Sequence, residues 1–168
     1  MSENTSTPPP AFNLDKVDPA LVVVMERTFT ASAEQLFRAF TDQDQLIQWF
    51  GPEGWSVPAE TAHINPHVGG AWKFTMVNNE NPEMTSPSNA VFVTLEENKL
   101  IEGVEVMESP DGGAPTHLYM RTEILPVAGA PECTQLKITQ GPLPEEYHEP
   151  GQQGWQSSFD KLERLLHS

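Results

Sequence analysis

Two histidines four residues apart, His63 and His67, have the spacing at which two imidazoles on one helix face share a zinc ion. Pro66 stands between them, and the flanking residues alternate as a strand that ends in a turn, so the two rings would not converge. Glu145 and His148 form a Glu-x-x-His pair, but a carboxylate-bridged metal pair needs two such sets with further glutamates, and the chain has one. Cys133, the single cysteine, follows Pro131-Glu132; nearby acids oppose thiolate formation, so packing suits it better than nucleophilic chemistry. No Gly-x-Ser-x-Gly elbow, phosphate loop or dinucleotide glycine pattern occurs. No catalytic residue, metal or cofactor is expected on these grounds. His117, Tyr119, Arg121 and Glu123 share one face of a predicted strand, with Leu118, Met120 and Ile124 on the other. A solvated outer face is the simpler account of the polar set.

The aromatic and methionine side chains are more informative. Trp72, Phe74 and Met76 alternate on one face of a strand, and Trp49, Phe50 and Trp55 surround Gly51-Pro52. Trp155 and Phe159 head the last helical segment. With Phe92, Leu118 and Met120, these groups can enclose a space between a sheet and a helix. They suit a filled core as well as the lining of an apolar pocket, and residue type alone leaves both open.

The elements that must carry them follow from periodicity. Residues 1–19, with Pro8-Pro9-Pro10 and few large apolar groups, read as a disordered tail that cannot offset its ordering entropy. A single domain is expected over residues 20–168. It opens with a strand from Leu21 to Phe29, then a helix from Ser32, whose hydroxyl and Gln35 make a capping box. A second short helix starts at Asp42, with Gln45 three residues on, and Gly51-Pro52 stops it. From Ser56 the period becomes two, predicting strands near 56–64, 71–78, 89–96, 99–107, 116–125 and 133–139. Short turn-rich connections make neighbours antiparallel, as one long meander. Pro150 suits a first helical position, and Trp155, Phe159, Leu162 and Leu166 then fall on one helix face. Glu145, Glu146 and Glu149 suit the positive end of that helix. The economical packing is an α+β fold in which a curved sheet wraps the terminal helix.

Composition narrows the partners. Nine Lys and Arg against 24 Asp and Glu give a formal charge of −15, which repels nucleic acid and anionic membranes. No apolar run reaches the length of a membrane span, and Met1-Ser2-Glu3-Asn4 has no signal-peptide character. With one cysteine, a cytoplasmic location is expected.

Four pieces spread over residues 21–166 resemble the heat-shock protein 90 ATPase activator homologue family, within the START-related SRPBCC superfamily. They are Glu26-Arg27-Thr28-Phe29, Thr41-Asp42 leading to Trp49-Phe50-Gly51-Pro52, Gly69-Gly70-Ala71-Trp72-Lys73-Phe74, and Gly154-Trp155 with Phe159, Leu162 and Leu166. Asn65 and His67 stand where many relatives carry an acid and a base before the double glycine, and the polar loop 79–88 replaces a tighter turn. The resemblance implies a helix-grip fold and favours a cavity that holds a small hydrophobic or aromatic molecule without covalent chemistry. Trp49, Phe50, Trp55, Trp72, Phe74, Met76, Phe92, Leu118, Met120, Trp155 and Phe159 are the expected contacts. Two alternatives follow from the same resemblance. One is regulation of a chaperone ATPase through surface contacts, although the separate chaperone-binding domain of the eukaryotic activators has no counterpart here. The other is a polyketide cyclase or dehydratase, which would need Tyr119, Arg121, His63 or His117 inside the cavity.

Overall fold

The computed structural model describes residues 11–107 and 111–167. β1 (Val23–Phe29) alternates in burial, turning Val23, Met25 and Phe29 inward. Ser32 ends the following turn and caps α1 (Ala33–Thr41): its hydroxyl accepts from the Gln35 N–H, and the Gln35 side chain accepts from the Ser32 N–H. Asp42 then caps α2 (Gln43–Trp49), its side chain accepting from the Asp44 N–H, and the Gln45 side chain does not complete a capping box.

The segment expected as one strand over 56–64 is broken. It consists of β2 (Trp55–Ser56), a 3-10 turn over Ala59–Thr61 and β3 (His63–Ile64). Pro58 is the N-cap of that turn, and a proline has no N–H to donate to a ladder, so continuous pairing fails there. Seven strands therefore follow the helices where six were expected. β4 (Ala71–Asn78), β5 (Thr85–Glu96), β6 (Leu100–Met107), β7 (Thr116–Pro126) and β8 (Thr134–Gly141) form the meander. β1 pairs antiparallel with β8, giving the order β1-β8-β7-β6-β5-β4-β2, with β3 also on β4. β5 starts earlier than predicted, so Pro87 lies in a strand opposite Thr75. Its missing N–H is tolerated because pairing with β6 begins only at Ala90.

α3 (His148–Leu166) closes the chain, with Pro150 in its first turn rather than at its first position. The sheet curves around this helix, burying Phe159 and Leu162 completely and leaving Trp155 half-buried. Arg27 of β1 clamps the outer side of the helix, donating to Asp160 at 2.7 Å and Glu163 at 2.6 Å. The expected helix-grip α+β architecture is what the chain adopts.

The tail predicted over 1–19 falls outside the described residues up to residue 10. From residue 11 the chain lies on the outer face of the sheet. Leu14, in a 3-10 turn over Leu14–Lys16, is 4% exposed; Phe12 meets the Tyr119 ring edge-on at 5.6 Å, and the Arg121 guanidinium lies 5.5 Å from the Phe12 ring. The few apolar groups of this segment thus find a surface to bury against, which a tail reading had not supplied. No helix among the described residues is long and apolar enough to cross a membrane.

Candidate functional site

Two indoles anchor the wall of the site. The last carbonyls of α1 lack intrahelical partners, and two tryptophans satisfy them. The Trp49 Nε1–H donates to the Ala39 carbonyl at 2.9 Å, and the Trp72 Nε1–H to the Phe40 carbonyl at 3.0 Å. Phe50 is the hub of the aromatic set, within 5.5 Å of the Trp49, Trp72, Phe74 and Trp155 rings. These tilted and edge-on contacts favour one rigid arrangement. Gly51 follows at φ +99°, and a Cβ there would sit 3.0 Å from the Met76 sulfur. Only glycine allows the chain to turn there while Met76 stays close. Lys161 of α3 fixes this loop, donating from Nζ to the Gly51 and Trp55 carbonyls at 3.0 Å each. Burial lowers its pKa, partly opposed by Glu53 nearby.

At the other end of the sheet–helix space the side chains run out. Gly103 of β6, Ala90 of β5, and Gly151 and Gly154 of α3 are among the residues lining a cavity of about 240 Å³. A Cβ on Gly154 would meet no heavy atom within 4 Å. The space is thus filled with rings toward α2 and empty beneath the glycine face of α3. Its lining is mainly apolar, with Ser88, Gln140 and Ser158 adding polar atoms.

Glu105 also lines the cavity. It lies on the inward parity of β6, with Ile101 and Gly103, opposite Ala90 of β5 and Leu118 of β7. Burial pushes its carboxyl above the usual glutamate range, and the hydrogen bond from the Asn89 backbone offsets this only in part. Composition and motif reading singled out no acid here.

Of the eleven residues expected around a ligand, Phe50, Trp72, Met76, Phe92, Leu118, Met120 and Trp155 line the cavity. Four do not. Trp49 is buried beside Phe40, Phe74 packs against Phe50 and Trp72, and Phe159 stacks edge-on with Phe29; all three are filled core. Trp55 sits on the short edge strand β2, half-buried, and presents its backbone carbonyl to Lys161. The polar groups that a cyclase reading needs lie elsewhere. His63 is exposed, and His117, Tyr119 and Arg121 occupy the outer face of β7, where Arg121 pairs with Glu102 at 2.7 Å. No group of three or more His, Cys, Asp or Glu able to hold a metal occurs among the described residues.

The double glycine after Asn65 and His67 has a steric cause. A Cβ at Gly70 would lie 2.1 Å from the Asn65 carbonyl oxygen, so no other residue fits. Gly70 accepts from the Phe92 N–H at 3.0 Å and Gly69 donates back to the Phe92 carbonyl at 2.8 Å, fixing that ring in the cavity wall.

Comparison with known proteins agrees with this architecture. The family model described as activator of Hsp90 ATPase homolog 1-like protein matches residues 30–167. A protein from Chromobacterium violaceum superposes with a TM-score of 0.74 at 23% identity, covering 88% of this chain and 98% of its own. An AHSA1 protein from Silicibacter pomeroyi gives 0.73 at 24% identity, covering 87% and 97%. A solution structure from Staphylococcus epidermidis gives 0.70 at 22% identity, covering 88% and 90%. Comparison with curated proteins gives no match.

Proposed function

Since the chain belongs to the activator of Hsp90 ATPase homolog 1-like family, we propose that it binds a small hydrophobic or aromatic molecule, without covalent chemistry, in the cavity under α3. One observation carries this function: an apolar space of about 240 Å³ persists where the aromatic side chains could have filled it. Pockets for small ligands are of this kind, concave and mostly apolar with a few polar groups. Membership of a fold family that commonly holds hydrophobic ligands supports it. A cytoplasmic location belongs with it, since one half-buried cysteine is suited to a reducing compartment.

Titration with 1-methylnaphthalene, followed by methyl NMR, tests the function. Saturable shifts are expected at the Met76 and Met120 methyls, which line the cavity, with little change at exposed Met84. Absence of saturable shifts at Met76 and Met120 would overturn it. The family's description also names activation of a chaperone ATPase. ATP turnover by purified heat-shock protein 90, with and without this protein, separates that second function; unchanged turnover at saturation removes it.

A further inference from the structure

Glu105 is the one ionisable side chain among the described residues that line the cavity. The β5–β6 ladder ends with Ala90 opposite Glu105, so its carboxyl stands where the two strands part. Leu118 is its partner on β7, and α3 contributes Gly151, Gly154, Trp155 and Ser158 to the cavity wall, none of which carries a charge to neutralise it. No lysine, arginine or histidine is among the described lining residues. Three of the chain's arginines are engaged in ion pairs away from the cavity lining: Arg27 with Asp160 and Glu163, Arg121 with Glu102, and Arg164 with Glu53. Two of the other polar groups are already committed. The Ser158 hydroxyl donates to the Gly154 carbonyl at 3.0 Å, and the Gln140 amide oxygen accepts from the Trp155 Nε1–H at 3.4 Å.

Resting on the ligand-binding function above, we propose that the cavity selects an apolar or aromatic molecule bearing one primary ammonium group, which pairs with the Glu105 carboxylate. The body of such a ligand lies against Phe50, Trp72 and Trp155, and its charged end at Glu105. A partly buried carboxylate in a mainly apolar cavity attracts a cation more strongly than one in bulk water. The net charge of −15 draws cations toward the protein and repels anions. Fatty acids and other anionic amphiphiles are the class this site opposes, because their head group would face a partly desolvated carboxylate with no cation beside it.

Three probes share one ring system and differ in head group: 1-naphthylmethylamine, 1-methylnaphthalene and 1-naphthylacetate. Calorimetric titration of the full chain at neutral pH ranks them. The amine is expected to bind at least about tenfold more tightly than 1-methylnaphthalene, as suits a hydrogen bond to a charged group, with the acetate weakest. Glu105→Gln, close to isosteric, removes the amine's advantage and leaves 1-methylnaphthalene within about twofold. Exposed Glu97→Gln changes neither, which separates the local carboxylate from the overall charge. Equal binding of amine and 1-methylnaphthalene to the wild-type protein overturns the inference and leaves the apolar pocket standing. So does an amine preference that survives Glu105→Gln. Should none of the three bind the wild-type protein, the pocket function falls with it. The wild-type ranking decides the matter even if Glu105→Gln does not fold.

Discussion

Substitution of Gly154 is expected to stabilise the protein while closing its cavity. Gly154 lies inside α3, where glycine is about 1 kcal/mol worse than alanine because it loses more backbone freedom on folding. A Cβ there points into open space, so Gly154→Ala recovers that helix penalty with no steric cost. The expected gain is about 1 kcal/mol, or about 2–4 °C in Tm for a chain of this length. Gly154→Leu goes further. Its three additional carbons, buried against the apolar lining, contribute up to about 2 kcal/mol, less about 0.5–1 kcal/mol of rotamer entropy. The same leucine occupies space a ligand needs, so stability and binding move in opposite directions. Urea unfolding and calorimetric titration with 1-methylnaphthalene read the two effects separately. Loss of stability in Gly154→Ala would refute the reasoning, because it would mean that the space beneath the helix is already filled.

Three further outcomes follow. Phe159→Ala should cost about 3–5 kcal/mol in urea unfolding, since the ring is fully buried against Phe29, whereas Trp155→Ala should cost less because one side of that ring borders the cavity. Equal losses for the two would contradict the placement of the void. The folded chain holds the Glu105 proton more tightly than the unfolded chain does, so this residue favours folding below the ordinary glutamate pKa, and that contribution is lost as pH rises through the raised folded value. Glu105→Gln should flatten the stability–pH curve in that window and be at least as stable as wild type at neutral pH; a steeper curve for the variant would be the wrong sign. Lys161→Met should cost about 1–3 kcal/mol by leaving the Gly51 and Trp55 carbonyls without their donor, measurable by thermal unfolding.

The fold could be read from residues where one face was plainly wet and the other dry. Alternation places β4 at 71–78, the bounds it has in the fold, and the Trp155, Phe159, Leu162 spacing identifies the face of α3 that the sheet grips. Reading failed where both faces of a strand are covered. On β6, Val104 points away from the main core yet is fully buried, on the side where Phe12 packs on Tyr119, its partner across the ladder. Apolar residues on both parities therefore hid which of Glu102 and Glu105 turns inward. The signal was present in Ile101, Gly103 and Glu105, two apart, once Ile101 is assigned to the core. The cavity itself was harder to see, because a void is made by missing side chains. Gly151 and Gly154, three apart in an amphipathic helix, are its trace. Large aromatics mark the filled part of the same space as readily as its cavity, and residue type alone does not separate Trp49, Phe74 and Phe159, which are packed core, from the rings that line the void.

The most direct test is an intermolecular NOE experiment on the complex with 1-methylnaphthalene. Contacts from the naphthalene protons to the Met76 and Met120 methyls and the Trp155 indole, lost in Gly154→Leu, are the predicted result. Contacts confined to exposed apolar groups such as Val68 and Met84, unchanged by Gly154→Leu, would contradict it.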